Sequence, residues 1–315
     1  MRITGTPPGD APRLQHAAGF HSSPDHLVGQ LLPLARAALG RGEAVALALA
    51  PDTETALRDA LGTADGLHPL GPPAEAGSGQ TVAVARAREL RELTRTAGPV
   101  SVLGEHRSDL DGPDGSFWTE FDAAVNVALA ELPVRMTCFF PEMPLHLCVL
   151  DGARDNHPQL LVDGEVRPNP RHRAPRDVLA AYPVAPPVLL GVPDLTVAFQ
   201  SWELQEVRRA VRDIAGAAGF TDDRVEDVVL AVNEVATNAV EHGGPHAELH
   251  VWATGGGLVC EVHDTGALAD PLPGMASPHP SEPRGRGLWI SRQVCDLLHV
   301  WSDDRGTHVR VRAAP

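Results

Sequence analysis

The chain has 315 residues, 43% of them hydrophobic and 21% charged, which is enough for about two domains with ordinary cores. Its 26 basic and 41 acidic residues give a net charge of −15, which argues against sequence-independent binding to nucleic acid or to an acidic membrane surface. All 26 basic residues are arginine, which excludes a P-loop lysine and a lysine nucleophile or general base.

Cysteine content and apolar runs indicate a protein of a reducing compartment. Cys138, Cys148, Cys260 and Cys295 form no C-x-x-C pair and are too few for a disulfide framework in a chain of this length. The first residues, MRITGTPPGDAP, lack an apolar signal core. No apolar run approaches the roughly 18 residues of a membrane span. We therefore expect a cytoplasmic protein without a membrane segment.

The first half alternates predicted helices with short apolar strands. After a ragged leader over residues 1–18, helices are predicted at 27–39, 52–61, 81–96 and 118–132, and strands at 43–50, 99–104 and 134–140. Continuous apolar runs of this kind are typical of buried parallel strands, so the pattern predicts an open α/β layer. Residues 151–182 are predicted to be rich in loops.

A proline-rich segment, 183–193, is predicted to link two domains, 16–182 and 194–315. Beyond it the predicted elements are a strand at 194–199, helices at 203–218 and 223–242, paired strands at 247–254 and 258–263, a loop at 267–284, a helix at 288–298 and two closing strands. Clustered strands and clustered helices predict an α+β sandwich.

The predicted helix at 225–243 carries two polar residues that its periodicity leaves unexplained. Apolar residues recur every three or four positions, and Glu234 and Asn238 lie one turn apart on the other face. Such a face could simply be solvated. Two motifs follow it, Asp264-x-Gly266 and then Gly285-x-Gly287, and glycines before a helix offer backbone N–H groups to phosphate.

In this order, NEVATNAVEHG, HDTG and RGRGLW resemble the three nucleotide-binding boxes of the GHKL ATPase superfamily, most closely its anti-sigma-factor kinase branch. The terminal GTHVRV, with Thr307, resembles the family's closing strand. The resemblance implies a Bergerat-type ATP-binding sandwich over residues 194–315, with ATP and Mg²⁺ as cofactors.

The resemblance also implies roles for the first two boxes. Asn238 would bind Mg²⁺, a hard ion that accepts an amide oxygen, and Glu234 would be the general base for an attacking hydroxyl. Asp264 would read the adenine amino group, and Gly266 would let the backbone approach the base.

The second glycine box and the closing strand would complete the site. Gly285 and Gly287 would present backbone N–H groups to the phosphates, and Arg284 and Arg286 would neutralise phosphate charge. Thr307 would contribute from the closing strand.

Two features of the sequence differ from those of histidine kinases, which share these boxes. Leu268 stands where the histidine-kinase form of the first glycine box has glycine, and no upstream segment resembles a phospho-acceptor histidine helix. A two-component histidine kinase is therefore disfavoured. Residues 267–283 are predicted to be a lid over the nucleotide, and the position of His242 at a helix end favours a capping role.

The first half resembles the MEDS domain, a sensory module found with anti-sigma regulators, over about residues 16–180. The resemblance is carried by Cys138 at a strand end, by His157-Pro158 and by Asn169-Pro170. It implies a Rossmann-like or RecA-like α/β layer without phosphate-binding residues.

Four potential metal ligands lie close together in the sequence of this half, at Cys138, His146, Cys148 and His157. A metal or redox role stays open beside a simpler interpretation, because no pair has the usual zinc spacing and buried cysteine often serves as a small hydrophobe.

Two functional hypotheses follow. In the first, the protein sequesters an alternative sigma factor and phosphorylates Ser or Thr of a small STAS-type anti-sigma-factor antagonist, under control of the N-terminal sensory domain. In the second, ATP fixes a conformation and a partner without phosphoryl transfer. A metal-regulated transcription factor is disfavoured, because no basic helix-turn-helix is present. A homodimer stays open.

Overall fold

A computed structural model describes residues 13–71, 78–112, 114–278 and 286–315. The chain divides into two compact units. The first comprises residues 1–74, 85–118 and 129–174, and the second comprises 75–84, 119–128 and 175–315. Among the described residues, no helix combines the length and the apolar character that crossing a bilayer requires.

The first unit is built on a mainly parallel sheet. Its strands in the described residues are β1 (Gln15–His21), β2 (Ala44–Ala48), β3 (Leu67–Pro69), β4 (Val100–Glu105), β5 (Val134–Pro141), β6 (Gln159–Val162) and β7 (Glu165–Pro168). They lie in the order β3-β2-β4-β5-β1-β6-β7, and all neighbours are parallel except β6 and β7. Helices of this half of the chain are α1 (Pro24–Gly40), α2 (Pro51–Leu61), α3 (Gly79–Ala97), α4 (Ser116–Ala128), α5 (Cys148–Asn156) and α6 (Pro175–Ala181). The predicted α/β layer is confirmed in this general form, as a mixed sheet.

Strand β1 lies between β5 and β6, although its first four residues fall in the segment 1–18 that is predicted to be a ragged leader. Its sequence, QHAAGFH, has no β-branched residue, which hides the strand from propensity rules. Small residues are required here, because an added methyl group at Gly19 would lie 2.7 Å from the Phe139 ring of β5. In a strand with a neighbour on each side, packing rather than β-propensity determines which residues fit.

The range predicted to be rich in loops, 151–182, is largely ordered structure. It contains most of α5, the hairpin of β6 and β7, and α6. The hairpin turns at Asp163 and Gly164, which both have positive φ. Short elements of this length carry too few periods for a sequence pattern to register.

The second unit is a two-layer sandwich. Its sheet contains, among the described residues, β8 (Leu195–Phe199), β9 (Ala247–Thr254), β10 (Gly257–Asp264), β11 (Leu297–Asp303) and β12 (Gly306–Ala313), in the antiparallel order β11-β12-β10-β9-β8. The helices are α7 (Leu204–Ala217), α8 (Asp222–Asn238) and α9 (Gly287–Val294). Helix α8 packs between α7 and α9, and its buried valines share one core with β9, β10 and β12. The predicted α+β sandwich is confirmed.

Helix α9 is shorter than predicted. The sequence pattern extended the helix to residue 298, but it ends at Val294 and β11 begins at Leu297. Leu297 and Leu298 pair with Arg312 and Val311 of β12, so strand pairing rather than helical periodicity decides their conformation.

Candidate functional site

Helix α8 has one buried face and one half-buried polar face. The Thr221 side chain caps its N-terminus and accepts a hydrogen bond from Arg224 N at 3.4 Å. The buried face consists of small and β-branched residues, Val225, Val228, Val229, Ala231, Val232, Val235 and Ala236. Glu234 and Asn238 are half-buried and one turn apart. Packing of the valine face thus fixes the side from which both polar groups are presented.

The C-terminal end of α8 is irregular. The α-helix ends at Asn238, and Ala239–Gly243 continue it as one turn of π-helix. Such turns are rare and are found most often next to functional sites, where they displace side chains from α-helical positions. Here the π turn brings His242 and Gly243 to the wall of the cavity that Asn238 also lines.

Strand β10 ends at Asp264, directly beside the closing strand. Asp264 is paired with Thr307 of β12 in the antiparallel register. The Gly266 N–H donates to Asp264 Oδ1 at 2.8 Å, and Thr307 Oγ1 donates to Gly266 O at 2.9 Å. One hydrogen bond therefore closes the Asp264-x-Gly266 turn, and a second hydrogen bond and the strand register join the turn to the closing strand.

The glycine at the end of the first motif touches the second motif. A Cβ atom added to Gly243 would overlap with the Asp264 carboxylate, and one added to Gly266 would overlap with the Gly243 backbone. Both positions require the absence of a side chain because of this close approach. The π turn and the Asp264 turn consequently form one packed wall.

A cavity of about 350 Å³ opens between α8, the end of β10 and the start of α9. This volume lies in the range of small-molecule sites. Its apolar walls include Val235, Val262, Leu268, Leu288, Val300 and Val309. Asn238, Asp264 and Thr307 are among its polar groups. An apolar cavity with a few convergent polar groups suits a flat heterocycle that carries a polar edge.

Asp264 is a buried acid on this wall. Its side chain is buried, and burial raises the pKa of the Asp264 carboxyl above its ordinary value, although the hydrogen bond from Gly266 acts in the opposite direction. Burial of a charged carboxylate costs free energy of folding, and such a group is more typical of a binding site than of a stabilising contact.

The second glycine box is described from Arg286 onward, and Arg284 and Gly285 lie outside the described residues. Arg286 directly precedes α9, whose first residue is Gly287. A Cβ atom at Gly287 would overlap with Glu234 Oε2, so the α9 backbone lies directly against that carboxylate. Ser291 Oγ donates to Gly287 O at 2.9 Å and lies 3.3 Å from Ala231 O of α8, which fixes the two helices together.

The structure describes residues 267–278 of the predicted lid, and the middle of this segment, 272–275, is packed against the protein. Leu272 and Met275 are buried, and Gly274 has positive φ and lies against the Leu288 and Trp289 backbone. The buried Arg292 side chain donates to Pro273 O at 3.0 Å, and burial lowers the pKa of this guanidinium to about 10. Residues 279–283 of the predicted lid lie outside the described residues.

The structure thus separates the sequence-predicted residues into two groups. Asn238, Asp264 and Thr307 line the cavity, and Gly266 supports it. Glu234 lies beside Gly287 and is not among the described residues that line the cavity.

Sequence reasoning gave no binding role to three cavity residues that lie in or beside its motifs. Gly243 was named only as the last residue of the first box and of its helix, His242 was assigned a capping role, and Leu268 was noted only as a departure from a motif. A glycine after a helix normally indicates a C-terminal cap, so nothing in the sequence distinguished this close approach.

Comparison with known proteins agrees with this geometry for one part of the chain. Residues 199–313 match the family model described as the histidine kinase-like ATPase domain. No curated protein matches the chain. The matched range contains α7, α8, α9 and all of the cavity-lining residues. The second unit therefore contains a GHKL-type, histidine kinase-like ATPase domain, a family that implies ATP as ligand.

Proposed function

We propose that the protein is an ATP-binding anti-sigma regulatory factor. It sequesters an alternative sigma factor and phosphorylates Ser or Thr of a small STAS-type antagonist, and its MEDS-like N-terminal domain modulates this activity in the cytoplasm. The observation that carries the nucleotide site is the single cavity lined by Asn238, Asp264 and Thr307 in a domain that matches the ATPase family.

The residues present fit ATP and Mg²⁺. The buried Asp264 carboxylate would accept from the adenine amino group, and the cavity that it lines would hold the base. Asn238 would supply an amide oxygen to Mg²⁺, and Arg286 with the start of α9 would face the phosphates. Bound Mg²⁺·ATP supplies the phosphoryl group, and Glu234 would accept the proton of the substrate hydroxyl at a carboxylate oxygen.

Asp264→Asn is expected to weaken ATP binding about 10- to 100-fold, because an amide donor would then face the adenine amino donor and a charge-assisted hydrogen bond would be lost. The same change should raise the free energy of unfolding at pH 7. Burial raises the folded-state pKa of Asp264, so its carboxylate contributes less and less to stability as the pH rises through that pKa. Calorimetric titration with ATP and urea unfolding at several pH values measure both effects.

The stability gain of Asp264→Asn should shrink as the pH is lowered and vanish below 3.8, the ordinary pKa of aspartic acid, because the wild-type carboxyl is then protonated in both states. A variant that is less stable than wild type at pH 7 and binds ATP normally would show that Asp264 is a structural residue.

The proposed activity is tested by incubating the full chain with γ-labelled ATP, Mg²⁺ and candidate antagonist proteins from the same source. Label should pass to Ser or Thr of one antagonist, and Asn238→Ala should lose Mg²⁺-dependent ATP binding and transfer together. ATP binding without transfer to any antagonist would reject the kinase proposal. Co-purification with tagged protein identifies the sigma factor, and its absence would reject sequestration.

A second candidate function is a non-catalytic, ATP-dependent protein-binding switch. One observation favours it: Glu234 lies against Gly287 rather than among the described residues of the cavity wall. In that case ATP would change partner affinity without turnover, and the free energy of coupling between ATP and the partner would be the measurable quantity.

A further inference from the structure

Three buried side chains converge in the first unit. His16 lies on β1, Cys138 on β5, and His157 follows the last residue of α5. All three are less than a tenth exposed. One potential ligand atom from each lies within 4.8 Å of the others, and the His16 and His157 rings are 4.0 Å apart between centroids.

The strand register explains the convergence. In the β1–β5 pairing His16 is opposite Met136, so its ring reaches one step along β5 to the next residue on that face, Cys138. His16 Nε2 lies 3.5 Å from Cys138 Sγ. In a tetrahedral site with metal–sulfur bonds of about 2.3 Å and metal–nitrogen bonds of about 2.0–2.1 Å, two such ligand atoms are about 3.5 Å apart.

The orientation of His157 is set by its surroundings. Its Nδ1 lies 2.7 Å from Ala153 O, and a carbonyl can only accept, so Nδ1 carries the proton and Nε2 has the free electron pair. A ring nitrogen that donates to a carbonyl while the other stays basic is the usual arrangement of a metal-binding histidine.

Asn169, singled out in the sequence by its Asn-Pro motif, holds this histidine in place. Its side-chain amide donates to His157 O at 2.7 Å and to Arg154 O at 2.5 Å, and its N–H donates to Pro158 O at 2.9 Å. The His157-Pro158 and Asn169-Pro170 motifs are therefore two halves of one support, and the side chain that they position is His157.

From this geometry we propose that His16 Nε2, Cys138 Sγ and His157 Nε2 form a binding site for a transition-metal ion that accepts thiolate and imidazole ligands, Zn²⁺ or Cu⁺. Cys138 binds as thiolate and releases a proton on metal binding. The site does not depend on the function proposed for the second unit.

Cobalt provides the first test. The full chain, stripped of metal by a chelator, is titrated with Co²⁺ under anaerobic conditions. We expect one ion per chain and a thiolate-to-cobalt charge-transfer band that Zn²⁺ abolishes by displacement. Competition with a Cu⁺-specific chromogenic chelator, in parallel with a zinc chelator, distinguishes the two ions. Failure to bind either ion or cobalt would overturn the proposal.

Variants assign the ligands. Cys138→Ser should lose the charge-transfer band, and His16→Ala or His157→Ala should weaken binding by more than about 100-fold, beyond the cost of an outer-shell partner. Cys148→Ser is the matched control, since Cys148 is exposed and its thiol donates to Asp114 O at 3.0 Å. A band lost in Cys148→Ser but kept in Cys138→Ser would contradict the assignment.

A measurement on the wild-type chain tests the same assignment without variants, which could misfold. Alkylation of each cysteine is followed by peptide mass spectrometry with and without metal. Metal should slow alkylation of Cys138 at least about tenfold and leave Cys148 unchanged. Equal rates at Cys138 in the two states, at metal concentrations that saturate binding, would reject Cys138 as a ligand.

Discussion

Gly243→Ala is expected to destabilise the second unit by about 1–3 kcal/mol and to weaken ATP binding about 10- to 100-fold. The added methyl group would overlap with the Asp264 carboxylate. That carboxylate cannot simply move away, because β10 is paired on both sides up to Asp264 and the Gly266 N–H holds Oδ1. Either the π turn or the Asp264 turn must shift. Urea unfolding of the full chain and calorimetric titration with ATP measure the two losses.

Gly255→Ala is the matched control. Gly255 lies in the exposed turn between β9 and β10, has no positive φ, and would place its methyl group in open space. Its unfolding midpoint and ATP affinity should equal those of the wild type. If Gly243→Ala behaves like this control, the close packing of the two motifs is wrong and Asp264 is not fixed by it.

This contact also shows where sequence reasoning about the site stopped. Glu234, Asn238, Asp264 and Gly287 could be selected from their types, spacing and order. The contacts that join them could not, since strand register and backbone approach are properties of the packed sheet rather than of local sequence. Thr307 could be named only by resemblance, and its hydrogen bond to the Gly266 carbonyl depends on a pairing across 43 residues, from Asp264 to Thr307.

The fold was predictable where hydrophobic periodicity is strong. Helices α1, α7 and α8 have apolar faces over several turns, and the sequence located each of them. Strand β1 was missed because its central residues are alanine and glycine, chosen to fit beside Phe139. Packing beside large side chains requires small residues in this strand, and small residues have low β-propensity, so the local sequence does not indicate a strand.

Of the four potential metal ligands that lie close together in the sequence of the first half, two converge in the structure. Cys138 and His157 converge, but their partner is His16, about 120 residues before Cys138 in the chain. His146 and Cys148 lie elsewhere, against Gly115. Closeness in sequence suggested the group of four, whereas parallel strand pairing of β1 with β5 determines which side chains meet.

Glu234 decides between the two candidate functions, and its position supplies a way to test it. The carboxylate lies against the α9 backbone at Gly287, so a movement of α9 toward or away from α8 changes the space available to it. A general base needs a carboxylate within hydrogen-bond reach of the reacting hydroxyl, and this contact often tightens only in the complex with substrates. A non-catalytic switch needs no acid at this position, so an isosteric neutral residue should serve equally well.

Glu234→Gln is therefore expected to bind ATP with wild-type affinity and to transfer phosphate about 10²- to 10⁴-fold more slowly, the usual contribution of a positioned general base. Single-turnover transfer of γ-labelled phosphate to the antagonist measures the chemical step apart from binding. Glu206→Gln, the same charge change at an exposed position of α7, should leave the rate unaltered. Gly287→Ala should act in the direction of Glu234→Gln, because its methyl group displaces only the flexible end of the Glu234 side chain and so changes the rate more than the stability. Transfer at the native rate in Glu234→Gln would remove the general-base role, and an unchanged effect of ATP on partner affinity in the same variant would then favour the non-catalytic switch.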